Sequence, residues 1–264
     1  MTRSPWPAAV LLLLGVATAQ QGPPPSPAQQ EYQSLVREAE AARSAWAAAR
    51  KEFTQGAEYQ AALAARDAEK LNALLQKAPK LDLTPYADRA LELAQRHAGK
   101  DEAVLPLAWV VCHGGNKERA TRALATLHRQ HLASKQLLEL FEPPYLLPRA
   151  ADPEVVRAFL IDVSSKHPDA LVRAHALDVR VTMLQRRGAS AEEMELAARL
   201  AAEAEILAQG SQLYDKIVAP RFERERLQIG MVAPDIEGED LDGVKFKLSE
   251  YRGKVVVLDF WGDW

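Results

Sequence analysis

Apolar positions recur with helical spacing through most of the chain and lose that spacing near its end. Tyr32, Ala39, Trp46 and Phe53 are seven residues apart, with Leu35, Ala42 and Ala49 between them, which predicts one long helix with a single apolar stripe. Ser26-Pro27 supplies an N-cap and a first-turn proline for it. A stripe of that kind requires a partner, and the next apolar segment, Ala57 to Ala78 with Tyr59, Leu63, Leu71, Leu74 and Leu75, is the expected one. Gly56 marks the expected reversal, a single long helix being the alternative, and Pro79 ends the segment in either case.

Beyond Pro79 the periodic runs shorten. Starts are expected at Thr84-Pro85, Asp101, Asn116, Ser134, Asp152-Pro153, Asp169 and Ser190, the last a capping box closed by Glu193. Stops are expected at Gly99, Gly114-Gly115, Gly188 and Gly210. Helix pairs of this length are the size used by TPR- and HEAT-type arrays, although no repeat consensus is visible. The expected fold is therefore mainly α, an irregular α-helical hairpin array over residues 28–227, followed by the first β elements of a different domain over 228–264.

That second region begins at Gln228. Gly238 and Asp242-Gly243 provide turns, while Val244, Phe246 and Leu248 alternate with Lys245 and Lys247, which predicts a hairpin and a half-buried strand. A short turn follows at Leu248 to Gly253. Val255 to Phe260 then reads as a strand buried on both faces of an α/β sheet.

Composition narrows the possible roles. The 264 residues are 48% hydrophobic and 26% charged with a net charge of −3, and their basic residues are interleaved with acids on helical stretches. No nucleic-acid surface is expected from that pattern. Arg3, the apolar run Ala8 to Ala17 and the small-x-small site Ala17-Thr18-Ala19 form a secretory signal over residues 1–19, too short to span a membrane. A Pro-rich spacer, residues 20–27, follows it. The expected location is exported, periplasmic or extracellular, with no stable membrane span after cleavage.

Few helical residues carry chemistry. Cys112 is the single cysteine, so no internal disulfide can form. A nucleophilic pair with His113 is disfavoured, because neighbouring residues on a helix point about 100° apart. A small core residue is the simpler expectation for Cys112. His128 and His131 lie three apart and could share a face, but without a third ligand they make a weak metal claim against ordinary surface histidines. No cofactor or metal site is expected.

The final stretch, "IGMVAPDIEGEDLDGVKFKLSEYRGKVVVLDFWGDW", carries Gly230, Ala233-Pro234-Asp235, Asp242-Gly243, Leu248-Ser249, Tyr251-Arg252-Gly253-Lys254 and Val255 to Trp264. Together these resemble the opening of a redoxin domain, as in thioredoxin-fold thiol–disulfide oxidoreductases of the TlpA and ResA type, grouped with AhpC/TSA proteins. The resemblance implies that Phe-Trp-x-x-Trp leads directly into Cys-x-x-Cys, so the nucleophilic cysteine would follow Trp264 and the sequence would be a fragment ending just before it. It further implies a tentative proton-shuttle role for Asp259, where many TlpA-like proteins have Asn. Trp264 would flank the dithiol and Trp261 would pack beside it. The implied partners are protein dithiol or disulfide substrates and an unidentified electron donor. A peroxidase of the AhpC/TSA type would instead carry Pro-x-x-x-Thr-x-x-Cys, from which Trp261-Gly-Asp-Trp264 departs. A non-catalytic helical scaffold with a partial redoxin tail is the other alternative.

Overall fold

The computed structural model describes residues 24–142, 145–239 and 242–259 and divides into two compact units, residues 1–96 and 97–264. The signal expected at 1–19, the first half of the expected spacer and residues 260–264 lie outside the described residues. The fold is mainly α, with a two-stranded antiparallel sheet among the described residues.

The first unit contains α1 (Pro27–Gln55), α2 (Ala57–Ala64), α3 (Ala68–Lys77) and α4 (Thr84–Arg96). Helix α1 begins where the sequence signals it, with the Ser26 hydroxyl accepting from the Gln29 amide while the Gln29 side chain accepts from the Ser26 amide. Leu35 and Ala39 are buried and the rest of the stripe is half-buried. The partner differs from the expected one. Residues 57–77 break into two short helices at Arg66, which takes a left-handed φ of 55°, and α4 supplies much of the opposing surface. Arg89 of α4 reaches Glu38 of α1 at 2.6 Å, Arg96 pairs with Glu31, and the Trp46 indole donates to the Pro79 carbonyl at 2.9 Å. Ala87, Ala90 and Leu93 of α4 are buried completely, a continuous apolar face that the broken α2–α3 segment does not have, with Leu63 half exposed.

The second unit runs through α5 (Val104–His113), α6 (Lys117–Gln130), α7 (Leu147–Ala150), α8 (Pro153–Lys166), α9 (Ala170–Leu184), α10 (Ala191–Leu207) and α11 (Gln212–Arg226). Helix α5 is apolar nearly all round and buries Val104, Leu107, Trp109, Val110 and Val111. Successive helices pack in turn, α5 on α6, α6 on α8, α8 on α9 and α9 on α10. Asn116, Asp152, Asp169 and Ser190 cap the helices they precede, each accepting from backbone N–H groups of the first turn. Between α9, α10 and α11 the chain reverses through Gly188 and Gly210, whose φ angles of 85° and 78° suit a residue without a Cβ.

His131 and His175 of this unit are partly or fully withdrawn from water. His131 closes α6, is 6% exposed, and its Nε2 has no hydrogen-bond partner among the described residues. His175 on α9 stacks on Phe141, with ring centroids 6.2 Å apart. Burial lowers the pKa of both. The unfolded chain, with histidines near their ordinary value of about 6.5, therefore takes up these protons first as the pH falls. Their contribution to stability is complete above that value and is lost below it. Urea midpoints should fall between pH 7.5 and pH 5.5, and His131→Leu should flatten the decline; an equal decline in the variant would remove His131 from the account.

Strands β1 (Glu237–Glu239) and β2 (Lys245–Lys247) form the expected hairpin, with Gly238 opposite Phe246. A Cβ on Gly238 would come within 3.2 Å of the Phe246 ring, so the glycine lets the aromatic side chain lie across the opposite strand. The strand expected over Val255 to Phe260 does not form in the described part. Residues 255–259 have no strand pairing, and Val255 and Val257 are 98% and 88% exposed. The physical reason is the missing neighbour: no described strand lies beside this stretch, so neither its backbone nor its β-branched side chains find a sheet to join.

Candidate functional site

The residues expected to carry chemistry are spread between the hairpin region and the helices. Asp235 organises the former. Its carboxylate accepts from the Ser249 amide at 2.8 Å and from the Ser249 hydroxyl at 2.7 Å, and these bonds hold its pKa below the usual carboxylate value. The Leu248 amide donates to the Ile236 carbonyl at 2.9 Å beside this clasp. Ala233-Pro234-Asp235 and Leu248-Ser249, separate motifs in the sequence, thus meet at the base of the hairpin and aim the chain through the Leu248–Tyr251 turn toward residues 255–259. The clasp was not foreseen, although an Asp and a Ser flanking a turn were a signal for it.

Asp259 lies at the end of that stretch and is exposed, in contrast to the buried strand end expected for it. Trp261 and Trp264 lie outside the described residues. The structure therefore brings together the elements that precede the expected site.

The helical candidates separate into packing roles. Cys112 is half-buried, and burial pushes its thiol up to about 11, so it is protonated and unreactive near neutral pH. The His113 ring packs against Trp109, 5.5 Å between centroids. His128 meets Asp162 at 2.8 Å and the edge of Phe159, whereas His131 is buried at the helix end. The two imidazoles thus have different surroundings, and no group of three or more metal-binding side chains occurs among the described residues.

Part of the chain is similar to stretches of thiol-disulfide oxidoreductases. A stretch of 55 residues is 42% identical to the thiol-disulfide oxidoreductase ResA of Bacillus anthracis, covering 21% of this chain and 30% of that relative. A stretch of 42 residues is 48% identical to ResA of Geobacillus kaustophilus, covering 16% of this chain and 24% of the relative. The chain thus spans less than a third of the length of the curated relatives it matches. No protein-family model matches it, and no solved structure does.

The exposed approach to this region makes a direct test available. Residues 219–233 are exposed throughout, and α11 is followed by about ten residues without regular structure before β1. Brief trypsin digestion should cut first at Arg224 or Arg226 and release the hairpin segment, leaving the helices intact by mass spectrometry. Amide exchange at Val255 to Leu258 as slow as at Trp109 would contradict the exposed arrangement.

Proposed function

We propose that this chain is part of an exported thiol–disulfide oxidoreductase, in which residues 228–264 open a thioredoxin-like redoxin domain and residues 28–227 hold that domain near its protein substrates. The observation that carries the proposal is the 42–48% identity of short stretches to ResA. The hairpin and its Asp235–Ser249 clasp agree with it as the entry to such a domain. Export rests on the signal features of residues 1–19, and no helix among the described residues is long and apolar enough to cross a membrane.

In this proposal the dithiol Cys-x-x-Cys follows Trp264 in the encoded protein. Its first thiolate would attack a substrate disulfide to give a mixed disulfide, and the second cysteine would displace the reduced substrate, so two electrons pass from dithiol to disulfide. Asp259 would exchange a proton with the second thiol, and Trp261 and Trp264 would shield the pair from water. An electron donor would return the disulfide to the dithiol.

The test reads the coding sequence past codon 264 and assays the protein it encodes. A chain bearing Cys-x-x-Cys should reduce insulin disulfides, lose that activity when the first cysteine becomes Ser, and show a shifted pH–rate profile as Asp259→Asn. A continuation without the two cysteines, or a dithiol-bearing chain with no turnover, would overturn the proposal. Equal pH–rate profiles would remove Asp259 from it.

A further inference from the structure

Helix α11 changes character at Pro220. Before it, Leu213 is buried with Ala174 and Ala208, and Tyr214 and Ile217 pack partly buried against the same cluster. From residue 219 to the end of the helix every position is exposed. Pro220 has no N–H for the Lys216 carbonyl one turn earlier, and its ring crowds that turn, so the helical ladder is weakest where the packing stops.

The two halves are also tied down differently. The first has its apolar anchor in Leu213, and Lys216 adds an ion pair to Glu142 at 3.3 Å. In the second, Pro220, Arg221 and Arg224 line a groove of 490 Å3 whose α10 side carries Ala198, Ala201 and Ala202. Methyl-sized side chains leave that space open, so the second half meets little bulk on this side. Its tie to α10 is polar: Arg221 donates to both carboxylate oxygens of Glu205, at 2.8 and 3.0 Å. The Arg221 side chain is 49% exposed and that of Glu205 24%, so water competes for the pair and salt screens it.

We propose that Pro220 is a hinge about which residues 221–226 swing as a helical piece, closing and opening the groove, with Arg221–Glu205 as the latch. The chain runs from this piece into the hairpin region, so the swing sets the direction in which residues 228–259 are presented. The hinge does not depend on the redox proposal and would survive its failure. The latch favours the closed position, and the open groove gives the piece room to leave and return without disturbing the cluster around Leu213.

The test uses the full 264-residue chain with Cys112→Ala, spin-labelled in pairs at exposed positions. One pair joins Glu154→Cys on α8 to Asp215→Cys before the hinge, and the other joins Glu154→Cys to Glu225→Cys beyond it. Distance distributions from electron paramagnetic resonance should be about twofold broader for the second pair than for the first, as a hinge between a fixed and a moving part requires. Glu205→Gln should broaden the second further and leave the first unchanged. Pro220→Ala, which restores the missing helical bond, should narrow the second toward the first. High salt should act like Glu205→Gln on the parent chain and have no effect on that variant. The Cα chemical shifts of residues 221–226 should stay helical throughout, which separates a swinging helix from a frayed end. Equal widths for the two pairs, a second distribution indifferent to Glu205→Gln or to Pro220→Ala, or coil-like shifts at 221–226 would each overturn the proposal.

Discussion

The 264-residue polypeptide, purified and reduced, is expected to show no turnover of insulin disulfides, and Cys112→Ala should leave that result unchanged. Disulfide reduction by a single protein needs one thiolate to attack and a second thiol to release the product. Cys112 is the single cysteine of the sequence. It is also poorly suited to attack, because burial pushes its thiol up to about 11 and thiolate is scarce at neutral pH. An insulin turbidity assay with dithiothreitol checks this over a single run. Turnover above the dithiothreitol background that persisted in the Cys112→Ala variant would require a chemistry without thiols.

Phe159→Ala should remove about 3–5 kcal/mol from the stability of the second unit, the range for deleting a buried aromatic ring. Phe159 is fully buried on α8, among Leu160, Val156 and Val163, which are buried completely as well. Its ring stands nearly perpendicular to that of His128, centroids 5.8 Å apart and planes at 87°, so the substitution also disturbs the His128–Asp162 pair that ties α6 to α8. Ile161→Ala on the same helix is the control. Ile161 is 43% exposed, and its loss should cost well under half as much. Urea unfolding followed by circular dichroism at 222 nm distinguishes the two, and similar midpoints would mean that the packing around α8 adapts.

Helix starts were legible because their signal is local. Asn116, Asp152, Asp169 and Ser190 each act within three residues of their own position, and each caps the helix it precedes. The hairpin was legible for the same reason, since Asp242-Gly243 and the alternation of Val244, Phe246 and Leu248 lie within a few residues. Pairing over longer distances was not. The stripe of α1 states that a partner is needed without naming it, and the choice fell to α4 through Glu38–Arg89 and Glu31–Arg96. The run Val255 to Leu258 states that it would be buried in a sheet, which depends on neighbours that its own residues do not encode.

The Asp235–Ser249 clasp joins residues only 14 apart. Loops of about that size close within roughly 10–100 ns, far faster than a ribosome adds the next residue. The hairpin can therefore organise during synthesis, before any later segment has left the exit tunnel, and the valines at 255–257 emerge from a base already set in direction. A nascent chain in that state presents a short, sticky edge to the cell, and Lys254 and Asp259, on either side of the valines, are the charges placed nearest in sequence to discourage a wrong neighbour from adding to it.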